Sequence, residues 1–241
     1  MSKLLNVSSS PHVRCGVSTK NLMYDVAIAM LPATIWGVMQ FGIYSLIVVV
    51  ATVLSCVLSE YLFETLMHKP VTISDGSALV TGMILGLNMP PAIPLWMPIL
   101  GGVFAIIVVK QLYGGLGQNW MNPALAARCF MLISFAQAMT KFTDPVTDAV
   151  ASATPLAAIK AGDTYDLAAM FIGKIPGTIG EVSVIALLIG AAYLLVKKVI
   201  TIRIPAAYIL SFAVFAFIFG QHNINSVSYT HLRAHETLSD L

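Results

Sequence analysis

Apolar residues in this chain fall in long runs separated by short polar or Gly/Pro-containing stretches. That pattern belongs to successive membrane helices rather than to alternating strands or one-sided surface helices. The runs are Leu22–Met39, Phe41–Leu62, Ala78–Met89, Leu95–Leu112, Pro123–Met139, Val182–Val196 and Ile204–Gly220. A bilayer core needs roughly 17–25 mostly apolar residues per helix. The prediction is therefore an all-α, polytopic integral membrane protein with about seven membrane segments. Gln40 is the one strongly polar residue between the first two runs, which predicts a tight helical hairpin there.

The third run departs from this pattern. Asp75-Gly76-Ser77 opens it and Pro90-Pro91 closes it, leaving only a short apolar stretch. Two readings stand side by side. It is a half-helix lining a cavity near the bilayer centre, or a full span starting near Val71 with Asp75 paired or close to the interface. The glycine-rich loop Gly114-Gly115-Leu116-Gly117-Gln118-Asn119, with Asn122-Pro123 after it, also differs from lipid-facing sequence. Its glycines permit close backbone approach, and Asn122-Pro123 is a cap followed by a first-turn proline, the start of a helix. With no strand before the glycines, a dinucleotide fold is excluded.

Lysine and arginine positions orient the spans. Lys3, Arg14, Lys20, Lys69, Lys110, Lys197, Lys198 and Arg203 all fall on one side when the runs are threaded alternately. Only Lys141, Lys160 and Lys174 fall on the other, in the long loop of residues 140–180. This predicts a cytoplasmic N-terminus and an extracytoplasmic loop, provided that the third segment crosses. Arg128, inside the fifth run, either snorkels to the headgroups or holds a buried anion.

Composition fits a bilayer: 58% of the 241 residues are hydrophobic and only 10% charged, with a mean hydropathy of +0.85. Soluble domains carry about 25% charge. The net charge of +2 is small and scattered, which argues against a nucleic-acid partner. No secretory signal precedes the first run, since the first twenty residues are polar. Cys15, Cys56 and Cys129 are isolated and form neither a CxxC pair nor a disulfide framework.

Candidate chemistry concentrates in the polar loop Asp148-Ala149-Val150-Ala151-Ser152-Ala153-Thr154-Pro155-Leu156. Thr154 before Pro155 fits an N-cap. A phosphate at its hydroxyl would face unpaired N–H groups at the positive end of a helix dipole; the alternative is an ordinary capped turn. Among the acidic residues Asp25, Glu60, Glu64, Asp75 and Glu181, most read as solvated or capping at span ends, with Glu181 suited to a helix start. Asp25 and Asp75 remain candidates for an ion or proton pathway.

The end of the chain changes character. Val227 to Thr237 is abruptly polar, and His231, His235 and Glu236 imitate a metal site. The string resembles the translation of a transposase adapter used in sequencing libraries, so no metal site is assigned. The expected organisation is one membrane domain over residues 1–225, followed by a non-native tail over 226–241. Further C-terminal spans are expected in the natural protein.

Five ordered motifs carry a family resemblance: Ser9-Ser10-Pro11-His12-Val13-Arg14; Asp75-Gly76-Ser77-Ala78 with Thr81-Gly82; Gly114 to Asn119 with Asn122-Pro123-Ala124; Ser152-Ala153-Thr154-Pro155-Leu156; and Gly180-Glu181-Val182-Ser183. Together, over about residues 5–225, they resemble the D subunit of the Rnf electron-transport complex. The B subunit of the sodium-pumping NADH:quinone oxidoreductase shares this core, but carries a longer polar stretch before its first span. The resemblance implies flavin mononucleotide (FMN) joined through its phosphate to a threonine hydroxyl by a separate flavin transferase outside the cytoplasm. Asp148, Ala153 and Thr154 match the attachment motif, while Ala151 and Ser152 stand where the family more often has Ser/Thr and Gly. It further implies partner subunits and electron relay between ferredoxin and NAD with sodium or proton export, and leaves open a second, non-covalent flavin. A solute permease, with its broken helices, is the alternative from another class.

Overall fold

The structure, a computed structural model, describes residues 18–143, 150–151 and 171–219. The apolar runs become helices: α1 (Thr19–Phe41), α2 (Ile43–Leu66), α3 (Ser77–Leu87), α4 (Trp96–Val103), α5 (Pro123–Ser134), α6 (Ala136–Met139), α7 (Val184–Val196) and α8 (Arg203–Phe219). A 3-10 turn, Ile73–Asp75, precedes α3, and α4 runs on as a π-helical segment, Phe104–Gln111. Among the described residues the only strands are Phe142–Thr143 and Val150–Ala151, paired antiparallel. The molecule is in essence all-helical.

Among the described residues two helices, α1 and α2, are long and apolar enough to cross a membrane alone; five other apolar helical stretches there have 10–17 residues. Large apolar side chains such as Ile35, Leu58, Ile189 and Phe217 face outward along the helices, as lipid contact requires.

Three local details differ from the sequence reading. Gln40 does not break the hairpin: α1 continues through it, and its side-chain amide donates to the Gly173 carbonyl at 3.2 Å. The break is Gly42, at φ 81°, a conformation favouring glycine. The third run is no full span from Val71, because α3 has 11 residues and starts at Ser77. The fifth run is interrupted at Phe135, between α5 and α6. The Asn122 cap is as expected, its side chain accepting from the Ala124 N–H at 3.0 Å with Pro123 in the first turn.

Contacts fix which helix ends lie together. Gly76 sits against Met23 and Tyr24 near the start of α1, and Lys197, after α7, lies 3.5 Å from Asp25. At the opposite end, the Tyr44 hydroxyl donates to the Ile93 carbonyl, and Ile179 and Gly180 bond to the Met89 and Leu87 carbonyls. Lys69, which follows α2, is thus on the Ser18 side, and residues 173–180 are across from it.

The core forms where α2 and α3 cross. Val48, Leu85, Met89, Ile93 and Met131 are buried there with Ile179. Gly82 and Gly86, four apart on α3, allow the close approach that small residues give membrane helices. A Cβ added at Gly82 would lie 2.6 Å from Val53 Cα, and one at Gly86 3.0 Å from Val49 Cα. Backbone cannot yield there as a side-chain tip could. Gly82→Ala is therefore expected to destabilise the protein by roughly 1–3 kcal/mol through overpacking. Leu58→Ala on the outward face of α2 should cost much less; denaturation in mixed micelles measures both.

Candidate functional site

Where α2, α3 and the π-helical segment meet, the interior is charged. Glu60 is fully buried, and Glu64 and Lys110 are each 2% exposed. Lys110 Nζ donates to Glu60 Oε1 at 2.5 Å and to the Ser77 hydroxyl at 2.6 Å. Gln111 Nε2 donates to the same Glu60 oxygen at 2.9 Å and to Glu64 Oε1 at 3.3 Å. Two consecutive side chains reach one carboxylate because the π turn is wider than an α turn, which brings neighbours closer in angle. The Leu112 N–H bonds to the Ile107 carbonyl, five residues back, as such a turn requires. Glu64 in turn accepts from the backbone N–H and the hydroxyl of Thr72.

Beside this network lies a cavity of about 300 Å³. Lys110, Ser77, Thr81, Asn119 and Asn122 supply polar lining, and Met23, Val80 and Ile84 supply apolar walls. Residues at the start of α3 (Ser77) and α5 (Asn122, Pro123) are among those that line it. The leading N–H groups there are already engaged, Ser77 by Asp75 and Ala124 by Asn122, and Lys110 is engaged by Glu60, so the cavity is a polar space beside a satisfied network.

The acidic residues divide differently from the sequence reading. Glu60 and Glu64, which their span-end positions suggest are solvated or capping, are the most deeply buried. Lys110 is an interior cation and not a loop one, so the predicted orientation rests on the remaining lysines and arginines. Asp75 is half-buried and caps α3, its Oδ1 accepting from the Ser77 N–H at 2.8 Å and hydroxyl at 2.6 Å. Asp25 accepts from the Tyr193 hydroxyl at 2.9 Å and pairs with Lys197 at 3.5 Å. The Asp25 carboxylate raises the Lys197 pKa above the usual lysine range. That contact therefore favours the fold at ordinary pH and is lost as pH rises through the raised value. Asp25 and Asp75 share no hydrogen-bond partner, Asp25 belonging to the α1–α7 contact and Asp75 to the start of α3, although Gly76 packs on Met23 and Tyr24.

Of the two readings of Arg128, the contacts favour the one in which it holds an anion, here the partly exposed Glu181 carboxylate. Its guanidinium donates to Asn88 at 2.6 Å and Glu181 at 3.1 Å, tying α5 to the end of α3 and to the segment before α7. Glu181 lies just outside a helix start; the cap of α7 is Ser183. Thr154, Asp148, Ser152 and Ala153 fall outside the described residues, and of their loop only the Val150–Ala151 backbone is described, paired with Phe142–Thr143. Of the cysteines, Cys56 is buried and Cys129 exposed.

The buried network could have been suspected from sequence. Lys110 and Glu60 are opposite charges near the ends of the second and fourth apolar runs, and such residues are cheapest in a membrane when paired.

Broken helices, an interior ion pair and outward apolar surface define a polytopic helical membrane protein with a polar cavity between half-length helices. The chain belongs to the NQR2, RnfD, RnfE family, whose model matches residues 6–238. It is similar to the D subunit of the Na(+)-translocating ferredoxin:NAD(+) oxidoreductase complex of Acetobacterium woodii, 47% identical over 226 residues, covering 91% of this chain and 71% of that protein. The D subunit of the proton-translocating ferredoxin:NAD(+) oxidoreductase complex of Clostridium ljungdahlii is 39% identical over 231 residues, covering 90% and 70%. The D subunit of the ion-translocating oxidoreductase complex of Halorhodospira halophila is 31% identical over 264 residues, covering 94% and 73%.

Proposed function

We propose that this chain is the D-type membrane subunit of an ion-translocating ferredoxin:NAD oxidoreductase, and that it carries FMN as a phosphate ester of Thr154. What carries the reading is the 47% identity to the sodium-translocating relative, joined to Asp148, Ala153 and Thr154 at the attachment spacing. The Thr154 loop lies outside the cytoplasm in this reading. In support, the 173–180 segment that follows it in sequence lies at the end of the helices opposite Ser18. The flavin supplies one- and two-electron redox chemistry; the chain supplies its position at one membrane face and a covalent tether that prevents its loss there. Other subunits of the complex and a flavin transferase are the partners. Sodium or proton export accompanies the electron flow.

The cavity beside Lys110 suits a second, non-covalent flavin. Its apolar walls suit a fused ring system, and the side-chain amides of Asn119 and Asn122 offer polar contacts to the ring's nitrogen and oxygen edge. Lys110 lines the cavity with its ammonium already engaged by Glu60 and Ser77.

Two measurements test the proposal. The mass of the peptide containing Thr154 should exceed the sequence mass by FMN less one water. Acid precipitation should leave that flavin in the pellet and release a second one, whose yield falls in Asn119→Leu. A solute permease would hold neither chromophore.

A further inference from the structure

We propose that the Glu60–Glu64–Lys110 cluster is a proton-exchange site, with Glu60 Oε2 the atom that takes the proton. This assignment is independent of flavin attachment and starts from charge. Glu60, Glu64 and Lys110 are all essentially out of solvent. Two carboxylates and one ammonium leave a net charge of −1 in the interior, and an uncompensated buried charge is costly unless it is paired or neutralised. Gln111 and Thr72 donate hydrogen bonds but bring no charge. One further positive charge completes the cluster.

The second observation fixes where it goes. Every donor reaching Glu60 is directed at Oε1, whereas Glu60 Oε2 is buried without a hydrogen-bond partner. An ionised carboxylate would leave that oxygen both charged and unsatisfied, while a proton there removes the charge. The ionisable groups facing Glu60 are Cys56 and Glu64 on its own helix, Lys110 on the π-helical segment, and Asp75 ahead of α3.

A hydrogen-bonded path leads out. Half-buried Asp75 accepts from the Ser77 hydroxyl at 2.6 Å, and that oxygen accepts from Lys110 Nζ, which also donates to Glu60 at 2.5 Å. In one transfer a protonated Asp75 gives its proton to the Ser77 oxygen, Ser77 gives its own to Lys110, and Lys110 gives one to Glu60 Oε1, after which rotation of the carboxyl group carries that proton to the unpartnered Oε2 position. The products are Glu60 acid, Lys110 ammonium, Ser77 hydroxyl and Asp75 carboxylate, so one proton has moved inward with nothing else changed.

Infrared difference spectroscopy on the full chain in lipid nanodiscs tests the assignment. A carbonyl band of a protonated carboxylic acid, shifted in D2O, should titrate with pH, be lost in Glu60→Gln and persist in Asp25→Asn. Ser77→Ala leaves every carboxyl in place, so it should keep the band but slow its exchange after a pH jump. The proposal is overturned if Glu60→Gln leaves the acid band intact. It is equally overturned if Ser77→Ala exchanges at the native rate, or if sodium chloride abolishes the band at constant pH where choline chloride does not, which would make sodium the occupant.

Discussion

Lys110→Met is expected to destabilise the protein by roughly 3–5 kcal/mol, the usual cost of removing one partner from a buried ion pair. Methionine matches the lysine stem in length and flexibility, so packing changes little and the loss is of charge and donors. Glu60 loses its 2.5 Å contact and the Ser77 hydroxyl loses a donor at 2.6 Å. Glu60 and Glu64, both bonded to Gln111, then face each other without a cation. Glu60→Gln should behave in the opposite way. The amide keeps an acceptor for Lys110, and the lone ammonium is left balanced by Glu64, so the change should be close to neutral. Glu60→Gln combined with Lys110→Met should be less damaging than Lys110→Met alone, because one of two stranded carboxylates is gone. Unfolding of all three variants in mixed micelles, compared as a double-mutant cycle, measures this asymmetry. Equal costs for the two single changes would mean that packing dominates over charge.

That asymmetry could not be read from sequence, and the reason is geometric. Apolar runs indicate that helices exist, and the cap residues indicate where some begin: Asn122-Pro123 starts α5 as the residues suggest. Depth depends on how neighbouring helices are staggered. Glu60 lies six residues before the end of α2, about 9 Å along the axis. In a lone helix it would sit close to the headgroups. It becomes an interior residue because α3 begins beside it at Ser77 and the π-helical segment brings Lys110 and Gln111 alongside. The π turn follows no residue pattern that an apolar run displays. The same limit applies to Arg128, whose partners Asn88 and Glu181 are 40 and 53 residues away. By contrast, the Gly and Pro boundaries of α3 made a short helix one of the two readings open for that run, and the glycine-rich loop near Asn119 was legible as a departure from lipid-facing sequence. Those features are local: each depends on backbone freedom and capping within a few residues. The acidic residues were legible as chemistry but not as position, so Asp25 and Asp75 stood out in sequence while Glu60 and Glu64 did not.

Thr154→Ala is expected to remove covalent flavin completely, an all-or-none effect. An ester between FMN and protein needs a side-chain oxygen to attack phosphorus, and alanine has none. Ser152→Ala removes the nearest other hydroxyl in the motif and should leave the ester in place, which distinguishes the acceptor from general damage to the loop. Fluorescence of denatured protein in a gel, read beside the mass of the Thr154 peptide, measures both variants. The fold should be indifferent to either change, because the α2–α3 core and the Lys110 network are built from residues far from this loop in sequence. Thermal unfolding should therefore be unchanged in Thr154→Ala, apart from stabilisation contributed by the flavin itself. Sidedness follows from the same residue. A cysteine placed by Thr154→Cys, with Cys15 and Cys129 replaced, should react with an impermeant maleimide added outside intact cells. Labelling solely from the cytoplasmic side would leave the transferase unable to reach its substrate and would overturn the assignment of Thr154 as flavin carrier. Fluorescence that survives in Thr154→Ala would do so independently of topology.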